Sequence, residues 1–271
     1  MSLICPKCGR PLTRTATSYV CDQGHGYDIA RQGYVNLLLA NQRHSAQPGD
    51  EKDALQARRA FLDRGFYAPV AQAVAARASS LLKPGQAVLD AGCGTGYYTA
   101  VMMAALPPQV DVYATDISKV ATAMTARACP RACCFVSSVF HLPLSDASLD
   151  GVVSIFCPYG AAEFIRVLKP EGWFAVVGPG PRHLWEMKQA VYEQPYANPQ
   201  PDKAPDGFVL QDRTMVEERM HLPDTQAIKA LWTMTPYYHT TSPDATARLL
   251  GAASMDVTLQ VALSVYRKET S

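Results

Sequence analysis

The 271-residue chain has 25 Lys and Arg against 24 Asp and Glu, a net charge of +1, with 48 % apolar and 18 % charged residues. That composition excludes a disordered chain and a polycation that coats nucleic acid by charge alone, and it suits one large domain plus a small appendage. No apolar run reaches the roughly 18 residues of a membrane helix, and the opening MSLICPKCGRPL lacks a signal-peptide core, so a cytoplasmic protein with no membrane contact is expected.

In a reducing compartment the eight cysteines read as metal ligands, reactive thiols or small core residues. Cys5, Cys8, Cys21 and His25 form a C-x₂-C-x₁₂-C-x₃-H pattern. Each pair sits in turn chemistry, Pro6 and Gly9 around the first, Gly24 and Gly26 around the second. Two spaced pairs predict a structural zinc ribbon with all four positions filled by protein. Tyr19-Val20 and Tyr27-Asp28-Ile29 read as its short strands. Such a segment is too small to fold on apolar burial alone, and a metal would supply the missing stability. Cys93, Cys129, Cys133, Cys134 and Cys157 show no second metal spacing and read mostly as core.

Charge is uneven. Lys7, Arg10, Arg14, Arg31 and Arg43 against Asp22 and Asp28 make residues 1–44 +3, while the other 20 basic and 22 acidic residues make the remainder −2. Chance and contact with an anionic partner both account for this. Residues 41–53, with His44, Ser45, Pro48, Gly49 and Asp50, read as a linker. A helix is predicted from Asp53 to Leu62. Phe61, Phe66 and Tyr67 follow as core aromatics or a cover for a ligand.

Ala87 to Asp90 is a buried strand, Gly92-Cys93-Gly94-Thr95-Gly96 a turn, and Tyr97 to Leu106 a helix. This is DxGxGxG. A dinucleotide fingerprint would need a third small residue where Tyr97 stands, and Asp90 would repel a pyrophosphate. A ligand with an ammonium or sulfonium cation would welcome that carboxylate, and S-adenosylmethionine carries both. Val110 to Asp116 is a second strand, whose terminal Asp116 can accept from both ribose hydroxyls. Strands near Cys133–Ser137, Gly151–Phe156 and Trp173–Gly178, with a helix at 160–168, predict a doubly wound parallel sheet. The ligand of such a sheet sits beyond the strand carboxyl ends, where Asp90, Asp116, Ser138 and Cys157 fall. Further on, a helix from Leu184 to Glu193, a Pro-rich loop from Asn198 to Gly207 and a hairpin across Phe208–Leu222 are expected. Helices at Pro223–Trp232 and Ser242–Gly251 precede an antiparallel edge strand at Val257–Tyr266.

VLDAGCGTG and LPLSDASLDGVVS resemble the class I S-adenosylmethionine-dependent methyltransferases. The whole chain, from the ribbon through QGYVNLL, ARRAFLDRGFY and PGPRHL, resembles the bacterial 23S ribosomal RNA guanine-N1 methyltransferases. The resemblance implies a Rossmann-like class I fold: a mostly parallel seven-stranded sheet with helices on both faces, plus a small N-terminal zinc-binding domain. It divides the chain into a zinc-ribbon RNA-recognition domain at 1–40, a linker at 41–53 and a methyltransferase domain at 54–271. It further implies a homodimer acting on a hairpin of 23S ribosomal RNA, with zinc on Cys5, Cys8, Cys21 and His25. Tyr67, Thr95, Gly96 and His183 are its cofactor contacts, joining Asp90, Gly92, Gly94 and Asp116. The family's adenine-side acid is Ser138 here.

Guanine N1 lies on the Watson–Crick edge and must lose a proton, so the base has to be unpaired and an acceptor is wanted. Phe156 or Tyr159 could stack on it, and His183 could orient cofactor or base. Cys157 is disfavoured as a nucleophile, since N1 is itself nucleophilic. A quinone-type small-molecule methyltransferase is the alternative function. On this reading a chain starting near Asp50 still binds cofactor but loses RNA.

Overall fold

A computed structural model describes residues 3–42, 49, 52–201 and 203–269. Of the expected linker, Arg43, His44, Ser45, Pro48 and Asp50 lie outside these. The ribbon is a small antiparallel sheet of β1 (Thr13–Arg14), β2 (Ser18–Val20) and β3 (Gly26–Asp28). A hydroxyl turn joins β1 to β2, with Thr15 Oγ1 accepting from the Ser18 amide at 3.0 Å.

The remaining elements follow as β4 (Tyr34–Asn36), α1 (Lys52–Asp63), α2 (Ala68–Leu81), β5 (Ala87–Ala91), α3 (Tyr97–Ala105) and β6 (Asp111–Asp116). Next come α4 (Lys119–Ala128), β7 (Cys133–Val136), β8 (Leu149–Ile155), α5 (Ala161–Val167), β9 (Leu168–Pro179) and α6 (Trp185–Val191). The chain closes with β10 (Phe208–Leu222), α7 (Thr225–Thr233), α8 (Pro243–Leu250) and β11 (Met255–Lys268). Strand order is β10-β11-β9-β8-β5-β6-β7-β4, with β11 antiparallel to both its neighbours, β10 and β9, and all other pairs parallel. All five residues of β5 are buried, as befits a central strand covered on both faces. Helix starts match their chemistry: Ser118 accepts from the Ala121 amide, Asp224 from Ala227, and Ser242 from Ala245 with Pro243 opening α8.

The seven expected strands are present, and β4 joins them as an eighth, parallel to β7 with Val35 opposite Phe135. The ribbon therefore shares the core of the large domain. Leu3, Cys5, Leu12 and Cys21 are buried in one cluster with Leu89, Phe135, Leu142 and Leu144. The Ile4 amide donates to the Pro143 carbonyl at 2.9 Å.

Two expectations change, and one helix is added. Phe208–Leu222 is one 15-residue strand rather than a hairpin, with Arg213 and Thr214 paired against Ser264 and Leu263. β11 lies inside the sheet between β9 and β10, so the edge strand is β10. α2 was not legible in the sequence, yet it buries Val70, Ala71, Val74, Ala75 and Ala78 on one face. No helix among the described residues is long and apolar enough to cross a membrane.

Candidate metal centre and cofactor pocket

The ribbon brings Cys5, Cys8, Cys21 and His25 together, each offering a ligand atom within 4.8 Å of the others. None of the three thiols is in a disulfide. Cys8 and Cys21 sulfurs lie 3.7 Å apart, and His25 Nδ1 is 3.5 Å from the sulfurs of Cys5 and Cys21. Tetrahedral zinc with Zn–S bonds of about 2.3 Å spaces thiolates by roughly 3.8 Å, so donor types and spacing both fit that ion. The Tyr27 hydroxyl lies 3.1 Å from Cys5 Sγ, placed to orient a ligand from outside.

The second centre lies at the carboxyl ends of β5, β6 and β8. The loop after β5 is built by backbone bonds to its neighbours. Gly92 and Cys93 amides both donate to the Thr115 carbonyl, at 2.8 and 2.9 Å. Gly92 has φ +87°, and a Cβ there would sit 2.3 Å from Cys157 Sγ. Only glycine fits that close approach. Gly96, at φ +82°, precedes α3 against Thr125, whose hydroxyl donates to the Gly94 carbonyl at 3.0 Å. Thr95 is buried within the same loop.

Two carboxylates flank the loop. Asp116 accepts the Gly94 amide on Oδ2 at 3.0 Å and the Ser118 amide on Oδ1 at 2.8 Å. Those two bonds fix the orientation of its carboxylate. Asp90 is 2 % exposed and accepts from Thr99 Oγ1 at 2.5 Å. Burial pushes its carboxyl up to about 6, against the Thr99 hydrogen bond and helped by the Asp116 charge. After β7, the Ser137 hydroxyl is engaged with Thr115 Oγ1 at 2.8 Å, and Ser138 Oγ accepts the Phe140 amide at 3.2 Å.

The third side of the pocket joins distant residues. His183 Nδ1 accepts the Gln260 amide at 3.3 Å, so the neutral ring carries its proton on Nε2, 3.4 Å from the Tyr67 hydroxyl. Burial lowers the His183 imidazole to about 4, opposed by the Gln260 hydrogen bond and helped by the Lys188 charge. Phe156 lies nearly parallel to the His183 ring at 5.9 Å and edge-on to Tyr67 at 6.1 Å. Its φ is +50°, a strained value for a non-glycine residue, and the residue is 43 % exposed. The structure thus brings Tyr67, Phe156 and His183 together. Tyr159 goes elsewhere, packed on Phe164 and Phe174. Sequence reasoning missed Thr99, Thr125 and Gln260. Thr99, a buried polar residue among the apolar side chains of α3, was the only one with a local signal.

Residues 3–46 match the family model described as RlmA, N-terminal, and residues 88–172 match that of a methyltransferase domain. The chain is a class I S-adenosylmethionine-dependent methyltransferase with an N-terminal zinc ribbon. It is 37 % identical over 192 residues to the 23S rRNA (guanine(748)-N(1))-methyltransferase of Streptomyces fradiae, covering 70 % of this chain and 67 % of that one. A Micromonospora griseorubida protein, named provisionally for a 23S rRNA guanine-N1 methyltransferase, is 39 % identical over 204 residues, 68 % of each chain. A Bacillus subtilis protein with a similar provisional name is 28 % identical over 280 residues, 97 % of this chain and 96 % of its own. The chain belongs to the 23S rRNA (guanine-N1) methyltransferase family.

Proposed function

We propose that this chain transfers a methyl group from S-adenosylmethionine to N1 of a guanine in a hairpin of 23S ribosomal RNA. The observation that carries the reading is the packing of a Cys₃His ribbon and a DxGxGxG pocket into one core. A quinone-type methyltransferase has no evident use for that ribbon. The reading includes a homodimer working in the cytoplasm, and the division into 1–40, 41–53 and 54–271 as recognition, linker and catalytic parts.

Bound S-adenosylmethionine supplies an electrophilic methyl on a sulfonium. The chain's part is to hold, orient and keep dry. Gly92, Gly94, Thr95 and Gly96 offer backbone at close range, and Asp116 would accept from the ribose. Asp90 contributes negative charge near the cationic end. Ser138 keeps one side of the adenine pocket, and its hydroxyl already serves the Phe140 amide. His183, held neutral, adds no positive charge beside a sulfonium, and its Nε2–H donates to the Tyr67 hydroxyl oxygen. Phe156 is the stacking candidate for the guanine, since it is exposed on a strained backbone next to the pocket. Tyr159 is better explained as core.

The test is incubation of the purified chain with labelled S-adenosylmethionine and 23S RNA lacking the modification, followed by nucleoside analysis. Label in 1-methylguanosine is expected. Label that enters only small molecules overturns the reading.

A further inference from the structure

Lys188 on α6 is fully buried, with a relative exposure of 0 %. No ion pair to a carboxylate is formed by it among the described residues. Its ammonium donates to Asn198 Oδ1 at 2.7 Å and to the Tyr196 carbonyl at 3.0 Å. It also sits over the rings of Tyr196 and Tyr237, 4.4 and 4.7 Å from their centres. Burying an ammonium without a counter-charge is costly, and these contacts offset only part of that cost. A methionine would fill the same space without it. The charge therefore needs a reason beyond packing.

Asn198 shows what the ammonium holds. Its Oδ1 also accepts from the Tyr237 hydroxyl at 2.5 Å. With both donors on the oxygen, the amide is locked in one orientation, and Nδ2 donates to the Gly180 carbonyl at 2.8 Å. The Asn198 backbone amide donates to the Pro181 carbonyl at 2.9 Å. Two successive carbonyls of the loop after β9 are thus held from one side. From the other side, Gln260 Oε1 accepts the Arg182 amide at 2.7 Å, and the Gln260 amide reaches His183. The loop between β9 and α6 is clamped on both flanks, and it ends in the imidazole that meets Tyr67.

We infer that Lys188 and Asn198 are positioning residues that set the Gly180–His183 loop, and through it His183 and Tyr67, for cofactor binding. This rests on the reading that the pocket takes S-adenosylmethionine. Neither residue is hydrogen-bonded to His183 or Tyr67: Asn198 acts through the loop backbone, and Lys188 acts through Asn198 while its charge also disfavours protonation of His183.

Asn198→Asp separates positioning from stability. The carboxylate keeps the acceptor for Lys188 and Tyr237 and gives the buried ammonium a counter-charge. It removes the donor to Gly180 and sets an oxygen against that carbonyl. Melting temperature and cofactor affinity are measured on the full-length protein, the affinity by calorimetry with S-adenosylhomocysteine and S-adenosylmethionine. A melting temperature at or above wild type is expected, with cofactor affinity at least tenfold weaker. Lys188→Met is the companion, and it is expected to weaken binding by a similar factor in the folded fraction. Wild-type affinity in a stably folded Asn198→Asp protein overturns the inference. If that protein does not fold, wild-type affinity in folded Lys188→Met overturns it instead. A wild-type protein that binds neither cofactor form overturns the underlying reading and not the clamp.

Discussion

The ribbon and the cofactor loop are two opposite ways of making a site. The ribbon has strands of two and three residues, and its four donors come from 21 residues of chain, Cys5 to His25. The loop after β5 is wired by backbone amides into Thr115 and Asp116 and sits on an eight-stranded sheet. One depends on a metal for its order, and the other is held by its own backbone hydrogen bonds. Yet the ribbon is packed into the same core as the loop, through Leu3, Leu12 and Val35 against Leu89 and Phe135. Removing metal from one should therefore be felt in the other.

That yields the largest expected effect. Cys8→Ser, or chelation, should lower the melting temperature by about 10 °C or more, because structural zinc contributes about 10 kcal/mol to a small metal-dependent fold. Cofactor affinity should fall as well, since the ribbon's Ile4 amide holds the Pro143 carbonyl on the segment that follows Ser138. Calorimetry with and without chelator reads both. Full zinc content in Cys8→Ser would remove that ligand from the set. For the same reason a chain starting near Asp50 is no longer expected to bind cofactor normally. It would lack β4, the strand paired with β7, so loss of the ribbon is expected to reach the catalytic part as well.

Asp116→Ala acts on the loop alone. It removes the proposed ribose acceptor and strands the Gly94 and Ser118 amides. Hydrogen bonds to a charged group contribute about 1.5–3 kcal/mol each, so losing the ribose contacts should lower cofactor affinity by about 100-fold or more. Titration calorimetry checks it, and unchanged affinity would take Asp116 out of the site.

Asp90→Asn should move stability and binding in opposite directions. The folded carboxyl keeps its proton up to about pH 6 because it is buried, so holding it ionised at pH 7 costs stability. The amide should stabilise the ligand-free protein by about 3 kcal/mol, taking about 1.4 kcal/mol per unit of raised pKa. Affinity for the cationic cofactor should weaken by about tenfold at pH 7, the loss of one nearby charge. In wild type the same affinity should fall as pH drops below about 6, where Asp90 takes up its proton. A flat pH profile between 5 and 7 would separate Asp90 from the cation.

The smallest effect concerns the ribbon surface. Neutralising Lys7, Arg10 and Arg14 should reduce the log–log salt slope of RNA binding by about one unit for each phosphate that no longer meets a cation. Cofactor affinity should stay as it was. RNA titrations at several salt concentrations read the slope, and an unchanged slope would place RNA elsewhere.

What was legible follows the length scale of the interaction. Metal donors at fixed spacing and a glycine turn after a buried strand are local patterns, and both lie where the sequence puts them. α2 was invisible because Ala-rich APVAQAVAARASSL blurs any apolar stripe. β10 looked like a hairpin because an edge strand with exposed residues such as Arg213, Thr214 and Met215 shows no apolar alternation. β4 could not be read as part of the main sheet, since its partner β7 lies about a hundred residues on. Tyr67 and His183, 116 residues apart, were both named as cofactor contacts through resemblance, and nothing local in the sequence marks Lys188 as buried.

The most direct test of the account is reverse transcription across 23S RNA that has been incubated with the purified chain and S-adenosylmethionine. A methyl group on N1 blocks Watson–Crick pairing, so it halts the copying enzyme one nucleotide before the modified base. A single cofactor-dependent stop at a hairpin guanine is the expected result, lost in Asp116→Ala. Full-length copies despite methyl transfer to the RNA, or a stop at another base, would contradict it.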